Sequence, residues 1–211
     1  MIFNDHSDLE GSHAFLGASK WHWLNYDEDT LRERYKNLYS QALGTALHDL
    51  AKRLIKARMK LAETDRKLVI FHLVSCGIPA FAYDIEFIFP NFKAYVNDAI
   101  GFRMDPEVIL FYSYNCYGTA DAIHFRNNFL RIHDYKSGTT PTDIKQVLVY
   151  AGLFCLEYKD LIKFSELQVE LRIYQGNQVK IHNPSPEELR WIIDKIISSD
   201  KTIKNVREAE G

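Results

Sequence analysis

The chain of 211 residues lacks several features that mark particular classes of protein. Its three cysteines, Cys76, Cys116 and Cys155, lie far apart and form no CxxC pair, so we expect reduced thiols and a cytoplasmic setting. No apolar run approaches the length of a membrane-spanning helix. The first residues form neither a basic nor an apolar leader, so we expect no secretory signal and no membrane partner.

Acidic and basic residues are nearly balanced, and the formal net charge is −2. This balance gives no global signal for nucleic acid, and any affinity for DNA must come from a local basic surface and a metal. Hydrophobic residues make up 46% of the chain, which is ordinary for a globular domain. We expect an arm with a short aromatic helix over residues 1–26, followed by one α/β domain over 27–211 with a small mixed sheet flanked by helices.

Residues 117–150 are the stretch around which the chain is organised. Two apolar segments flank Asn127 and Asn128, a pair that tolerates positive φ and suits a two-residue hairpin turn. With that turn, the numbers of partner residues sum to 255, so Asp121 lies opposite Asp134. Two carboxylates at this distance repel each other unless a proton or a cation lies between them.

Lys136 lies two residues after Asp134 and therefore points to the same face of the strand. Two acids and an amine on one face suit Mg²⁺ or Mn²⁺, and such a site can hydrolyse a phosphodiester. The alternative is a surface hairpin whose charges face solvent, because an Asp-x-Lys triplet is common by chance.

Hydrophobic periodicity predicts the remaining elements. We expect helices at about 29–62, 64–75, 84–102, 140–157 and 185–198, strands at 108–114, 167–174 and 178–182, and a frayed C-terminus. His48 lies at the border of the apolar stripe of the first helix, where a lone histidine is more often a core residue than a ligand.

Four segments in this order resemble the successive motifs of RecB-like nucleases in the PD-(D/E)XK superfamily. They are Gly44-Thr45-Ala46-Leu47-His48, Gly118-Thr119-Ala120-Asp121, Ile132-His133-Asp134-Tyr135-Lys136-Ser137-Gly138 and Gln146-x-x-x-Tyr150. Together they cover roughly residues 44–150. The segment 16–25 is also similar to the N-terminal signature of phage-encoded members.

The resemblance implies a PD-(D/E)XK nuclease domain over 27–211 that acts as a DNA exonuclease in phage or bacterial recombination, repair or replication. It implies a Mg²⁺ or Mn²⁺ ion, catalytic roles for both aspartates, and DNA as partner, beside a helicase or a single-strand annealing protein. The implied metal ligands are His48, Asp121, Asp134 and the carbonyl of Tyr135; Lys136 would orient the water, and Gln146 and Tyr150 would position the strand.

Some RecB-like relatives hold an iron–sulfur cluster on four cysteines, which three cysteines cannot supply, so we expect no cluster. Three alternatives to an exonuclease stay open: a structure-specific endonuclease on the same site, a non-catalytic DNA-binding module, and a hydrolase of small nucleotides, which would need a closed pocket. Oligomeric state is left open. Trp21, Trp23 and Tyr26 either pack on the first long helix or offer a stacking surface for unpaired bases.

Overall fold

Five strands form one mixed sheet in the computed structural model, which describes residues 5, 7–9 and 14–210. The strands are β1 (Asp105–Ser113), β2 (Cys116–Arg126), β3 (Phe129–Lys136), β4 (Gln168–Gln175) and β5 (Gln178–His182). They lie in sequence order, with β3 and β4 parallel and the other neighbours antiparallel. The predicted α/β domain with a small mixed sheet is confirmed.

Helices cover both faces of this sheet. They are α1 (Glu28–Asn37), α2 (Ser40–Ala57), α3 (Arg66–Ser75), α4 (Ile85–Gly101), α5 (Lys145–Glu157) and α6 (Pro186–Glu210). One core joins α2, α3 and α4 to Tyr135 and Tyr174, and a second core joins α5 and α6 to Leu130 and Ile132. None of the helices within residues 5, 7–9 and 14–210 combines the length and the hydrophobicity that a membrane span requires.

The hairpin of β2 and β3 forms with the predicted turn and register. Asn127 and Asn128 have φ of 51° and 57°, as a primed turn requires. The partners run from Arg126 with Phe129 to Ala122 with His133, and their numbers sum to 255. Beyond the last pair, β2 continues along β1 while β3 continues along β4. The sheet therefore forks at this point.

The predicted continuous helix over 29–62 is wrong, because a turn at Leu38 and Tyr39 separates α1 from α2. Tyr39 and Tyr35 pack against Phe81 instead of the sheet core, and Leu38 is 54% exposed. Helix α2 then ends at Ala57, since Arg58 takes a left-handed conformation with φ of 54°.

Two further helix boundaries differ from the prediction. Helix α5 begins at Lys145 because the side chain of Gln175 satisfies the preceding loop without a helix. Its amide donates to the carbonyls of Gly138 and Thr140 at 2.8 and 2.7 Å, and its oxygen accepts from the N–H of Thr142 at 3.0 Å. Helix α6 continues to Glu210, where we expected fraying.

The N-terminal arm predicted for residues 1–26 falls partly on residues 1–4, 6 and 10–13, which lie outside the described residues. The short helix expected within it is a 3-10 helix, Ala18–Asn25. Trp23 donates from its indole to the carbonyl of Gly17 at 3.2 Å, and the guanidinium of Arg34 lies over the ring of Tyr26. The domain boundary at residue 27 stays a prediction.

Candidate metal centre

The candidate site lies at the fork between β2 and β3. One step beyond the last backbone pair, Oδ2 of Asp121 accepts a hydrogen bond from the N–H of Tyr135 at 2.9 Å. The carboxylate thus satisfies a buried backbone donor that has left the strand ladder. Asp121 and Asp134 are both buried, and each influences the pKa of the other, as expected for acids that lie close together.

Asp134 and Lys136 share a face of β3, as the alternation of the strand predicts. The ammonium of Lys136 donates to Oδ1 of Asp134 at 3.0 Å. The other oxygen, Oδ2, is buried and has no hydrogen-bond partner within the described residues. A buried carboxylate oxygen without a partner is destabilising unless a proton or a cation satisfies it. This atom is therefore the position in the site where a proton or a cation would be most stabilising.

Helix α2 brings His48 to the same place. Its Nδ1 lies 3.5 Å from Oδ2 of Asp121 and 3.8 Å from Oε1 of Glu107. One ligand atom from each of these three residues lies within 4.8 Å of the others. Asp134, which was predicted as a ligand beside His48, does not belong to this tight group. The backbone of Tyr135 lies near enough to the imidazole to raise its pKa, so the predicted carbonyl ligand is also at the site.

Glu107 is the functional candidate that sequence analysis missed. It lies in β1 across from Asp121, between the pairs Pro106 with Ala122 and Val108 with Ala120. Its φ is 56°, a left-handed conformation that costs a non-glycine residue about 1–2 kcal/mol. Strain of this kind at a metal-ligand cluster is typical of functional sites. The available signal was an acid facing Asp121, which becomes visible only once the turn between β1 and β2 is placed.

Burial sets the protonation of the site. It raises the pKa of Asp121 to about 7, and burial together with the charge of Asp121 raises the pKa of Asp134 to about 7. Burial lowers the pKa of His48, so its imidazole is neutral at pH 7, as a metal ligand must be. Near neutral pH the two carboxyl groups therefore hold protons that a divalent cation could displace.

Gln146 and Tyr150 line the α5 side of the site. They lie one turn apart, and the amide of Gln146 donates to the Tyr150 hydroxyl at 3.1 Å. The Tyr150 ring lies against Gly118, where a Cβ atom would come within 2.9 Å of Cε1. Burial raises the pKa of Tyr150, and the charges of Asp121 and Asp134 raise it further, so the phenol lies within electrostatic range of the acids.

The residues at this fork fit a hard divalent cation. Three carboxylates and one neutral imidazole supply mainly oxygen ligands, which Mg²⁺ and Mn²⁺ prefer. The unpartnered Oδ2 of Asp134 and the raised pKa values of Asp121 and Asp134 both show a site that gains by taking up positive charge. Chemically, such a cluster beside an ammonium can stabilise a phosphoryl group on which negative charge develops.

Comparisons of the chain with protein-family models, with curated proteins and with solved structures each found no match. The resemblance to RecB-like nucleases, and with it the PD-(D/E)XK assignment, stays a prediction from the motifs.

Proposed function

We propose that the protein is a Mg²⁺- or Mn²⁺-dependent nuclease that hydrolyses phosphodiester bonds in DNA. The observation that carries the proposal is the convergence of His48, Glu107 and Asp121 within 4.8 Å, beside an acid whose partner is a lysine. The order of the motifs supports the same reaction. His48 comes from α2, which is distant in sequence from the β1–β2 hairpin that bears Glu107 and Asp121, and a surface hairpin with solvated charges would not require this convergence.

The metal would be held by His48, Glu107, Asp121 and Asp134, with the carbonyl of Tyr135 completing the set. A bound divalent cation supplies Lewis-acid polarisation of a phosphoryl oxygen and acidifies a water. The protein contributes rigidity, because Asp121 is fixed by a backbone hydrogen bond. Rigid ligands remain aimed at the reacting phosphate without reorganisation during the reaction.

Lys136 would act on the nucleophilic side. Asp134 holds its ammonium at 3.0 Å from Oδ1, so the charge cannot swing away into solvent. From this position the ammonium orients the attacking water and stabilises the charge that develops on the phosphate. Gln146 and Tyr150 offer an amide and a hydroxyl on α5, which can hold the sugar–phosphate backbone of the strand.

Within this proposal, the resemblance favours an exonuclease of phage or bacterial DNA recombination, repair or replication, acting beside a helicase or an annealing protein. A linear DNA and a covalently closed circle of the same sequence distinguish the modes of cleavage. An exonuclease degrades only the linear form, whereas an endonuclease also opens the circle.

The test of the proposal is Lys136→Met, with Lys163→Met as the matched control. Lys163 lies on a loop far along the chain from the fork, and its ammonium pairs with Glu166 at 3.8 Å. We expect Lys136→Met to lower the rate of DNA cleavage about 10²–10³-fold and Lys163→Met to leave it unchanged. Near-wild-type cleavage by Lys136→Met would remove the role of the amine, and DNA binding without any cleavage by the wild type would identify a non-catalytic module.

A further inference from the structure

Beyond the candidate metal centre, the ribbon of β1 and β2 carries a row of exposed apolar rings. We call Phe111, Tyr114 and Tyr117 the aromatic strip. Tyr114 is 89% exposed, Tyr117 is 62% exposed and Phe111 is 40% exposed. Exposed aromatic side chains in a cluster mark interaction sites more often than single exposed ones do.

The aromatic strip lies on the same ribbon as Glu107. Phe111 pairs with Tyr117 across the ribbon, whereas the preceding Leu110 is buried in the core beneath α5 and α6. At about 3.3 Å per residue, Phe111 lies about 13 Å along β1 from Glu107. A ligand that follows the ribbon therefore passes from the rings to the metal cluster.

The turn that bears Tyr114 is held by hydrogen bonds to α6. Tyr114 lies at the turn of the ribbon, and Asp200 of α6 holds both of its neighbours. The carboxylate accepts from the hydroxyl of Ser113 at 2.6 Å and from the amide of Asn115 at 2.9 Å, and it is itself buried. The ring centroid of Phe111 lies 5.5 Å from that of Tyr114 and 6.3 Å from that of Tyr117. Because the buried carboxylate makes the turn rigid, the exposed ring of Tyr114 can bind a partner with little loss of backbone entropy.

Two observations bear on what the aromatic strip binds. The N–H of Phe111 is already taken by Oε2 of Glu157 at 2.8 Å, so the edge of β1 is not free here to pair with a strand of another protein. The strip has no charged side chain but is continuous with a cluster suited to phosphate chemistry. Uncharged aromatic rings in a row stack on nucleobases without regard to sequence. In a duplex the faces of the bases are covered by neighbouring bases, so only unpaired bases can stack on the rings.

We propose that the aromatic strip binds the unpaired bases of single-stranded nucleic acid and guides that strand to the metal centre. This inference rests on the proposed function and narrows its substrate to a strand, or a strand end, that is not base-paired. Stacking rather than phosphate contact then supplies the affinity of the strip, so binding there depends only weakly on salt.

The test measures fluorescence anisotropy of a labelled 15-nucleotide oligo(dT) in EDTA, where a metal-dependent nuclease is silent. Tyr114→Ala and Tyr117→Ala are compared with Tyr114→Phe and Tyr117→Phe, which keep the rings. We expect each alanine variant to weaken binding of the single strand about tenfold, and each phenylalanine variant to bind like the wild type. Affinity for the matching blunt duplex should not change in any variant. Equal thermal unfolding midpoints confirm that these exposed substitutions leave the fold intact.

The inference is overturned if the wild type does not bind oligo(dT), or if the alanine variants bind it as tightly as the wild type does. It is also overturned if sedimentation shows a wild-type dimer that the alanine variants dissociate while oligo(dT) binding is unchanged, because the strip would then be a protein interface. DNA cleavage by the wild type with Mn²⁺ separates the two proposals. If the wild type cleaves neither linear nor circular DNA, the nuclease proposal fails, whereas the anisotropy result judges the strip alone.

Discussion

Asp134→Asn should abolish cleavage and at the same time stabilise the metal-free protein above pH 7. Asparagine keeps the shape of the side chain but cannot carry the charge that the buried site must accommodate. Since burial and the neighbouring Asp121 raise the pKa of Asp134 to about 7, the ionised form is unfavourable in the folded protein. The amide resembles the protonated acid and so avoids this penalty.

The size of the effect follows from the shift in pKa. A rise from 3.8 to about 7 corresponds to about 4 kcal/mol at 1.36 kcal/mol per pKa unit, which is an upper bound because Asp121 shares the repulsion. Between about pH 4 and pH 7 the folded state binds more protons than the unfolded state, so the free energy of unfolding falls as pH rises. We expect Asp134→Asn to be more stable than the wild type by half of this upper bound, about 2 kcal/mol. For a chain of this length, that difference raises the Tm by at least about 4 °C.

The assay is thermal unfolding of the wild type and Asp134→Asn in EDTA at pH 5 and pH 8. The variant should be the more stable one at pH 8, and by a clearly smaller margin at pH 5, where only about a third of the change between pH 4 and pH 7 has taken place. The lowered pKa of His48 acts in the opposite direction in both proteins, and because the charge of Asp134 itself raises that pKa, the comparison cancels this contribution only in part. Saturating Mn²⁺ should then stabilise only the wild type, by about 2.7 kcal/mol at 100 times its Kd. A variant less stable than the wild type at pH 8 in EDTA would refute the reasoning.

Two further substitutions probe the walls of the site. Gly118→Ala forces a Cβ atom to within 2.9 Å of the Tyr150 ring, so we expect about 1–3 kcal/mol lower stability and slower cleavage. The double variant with Tyr150→Ala should partly restore the stability but not the cleavage; an unperturbed Gly118→Ala enzyme would contradict the packing. His48→Ala should weaken Mn²⁺ binding about tenfold or more in isothermal titration. The control His22→Ala, on the exposed face of the N-terminal 3-10 helix, should bind Mn²⁺ like the wild type. If His48→Ala binds Mn²⁺ as tightly as the wild type does, the imidazole is not a ligand.

The hairpin that carries the site could be predicted because a two-residue turn leaves a strand pair no choice of register. Once Asn127 and Asn128 are placed in the turn, the positions of Asp121, Asp134 and Lys136 follow by counting. The fork itself does not follow, since the end of the ladder depends on β3 leaving β2 to continue along β4.

Glu107 could not be predicted for a different reason. Its contribution depends on a positive φ within a strand, which a glutamate rarely adopts, and on pairing with a strand whose turn bears no glycine or proline signal. The regular alternation also fails beside it, because Ala120 belongs to the core beneath α5 and Ala122 to the core beneath α2. Such local distortions are set by tertiary contacts, here with His48 of α2, and leave no periodic pattern in the sequence.

Anomalous diffraction from crystals grown with Mn²⁺ tests the central claim most directly. The account predicts one or more peaks at the fork, with carboxylate oxygens of Asp121 and Asp134 about 2 Å from an ion and with His48 or Glu107 completing the ligands. A peak elsewhere on the molecule, or a fork that remains without an ion at saturating Mn²⁺, would contradict the assignment of this cluster as a metal centre.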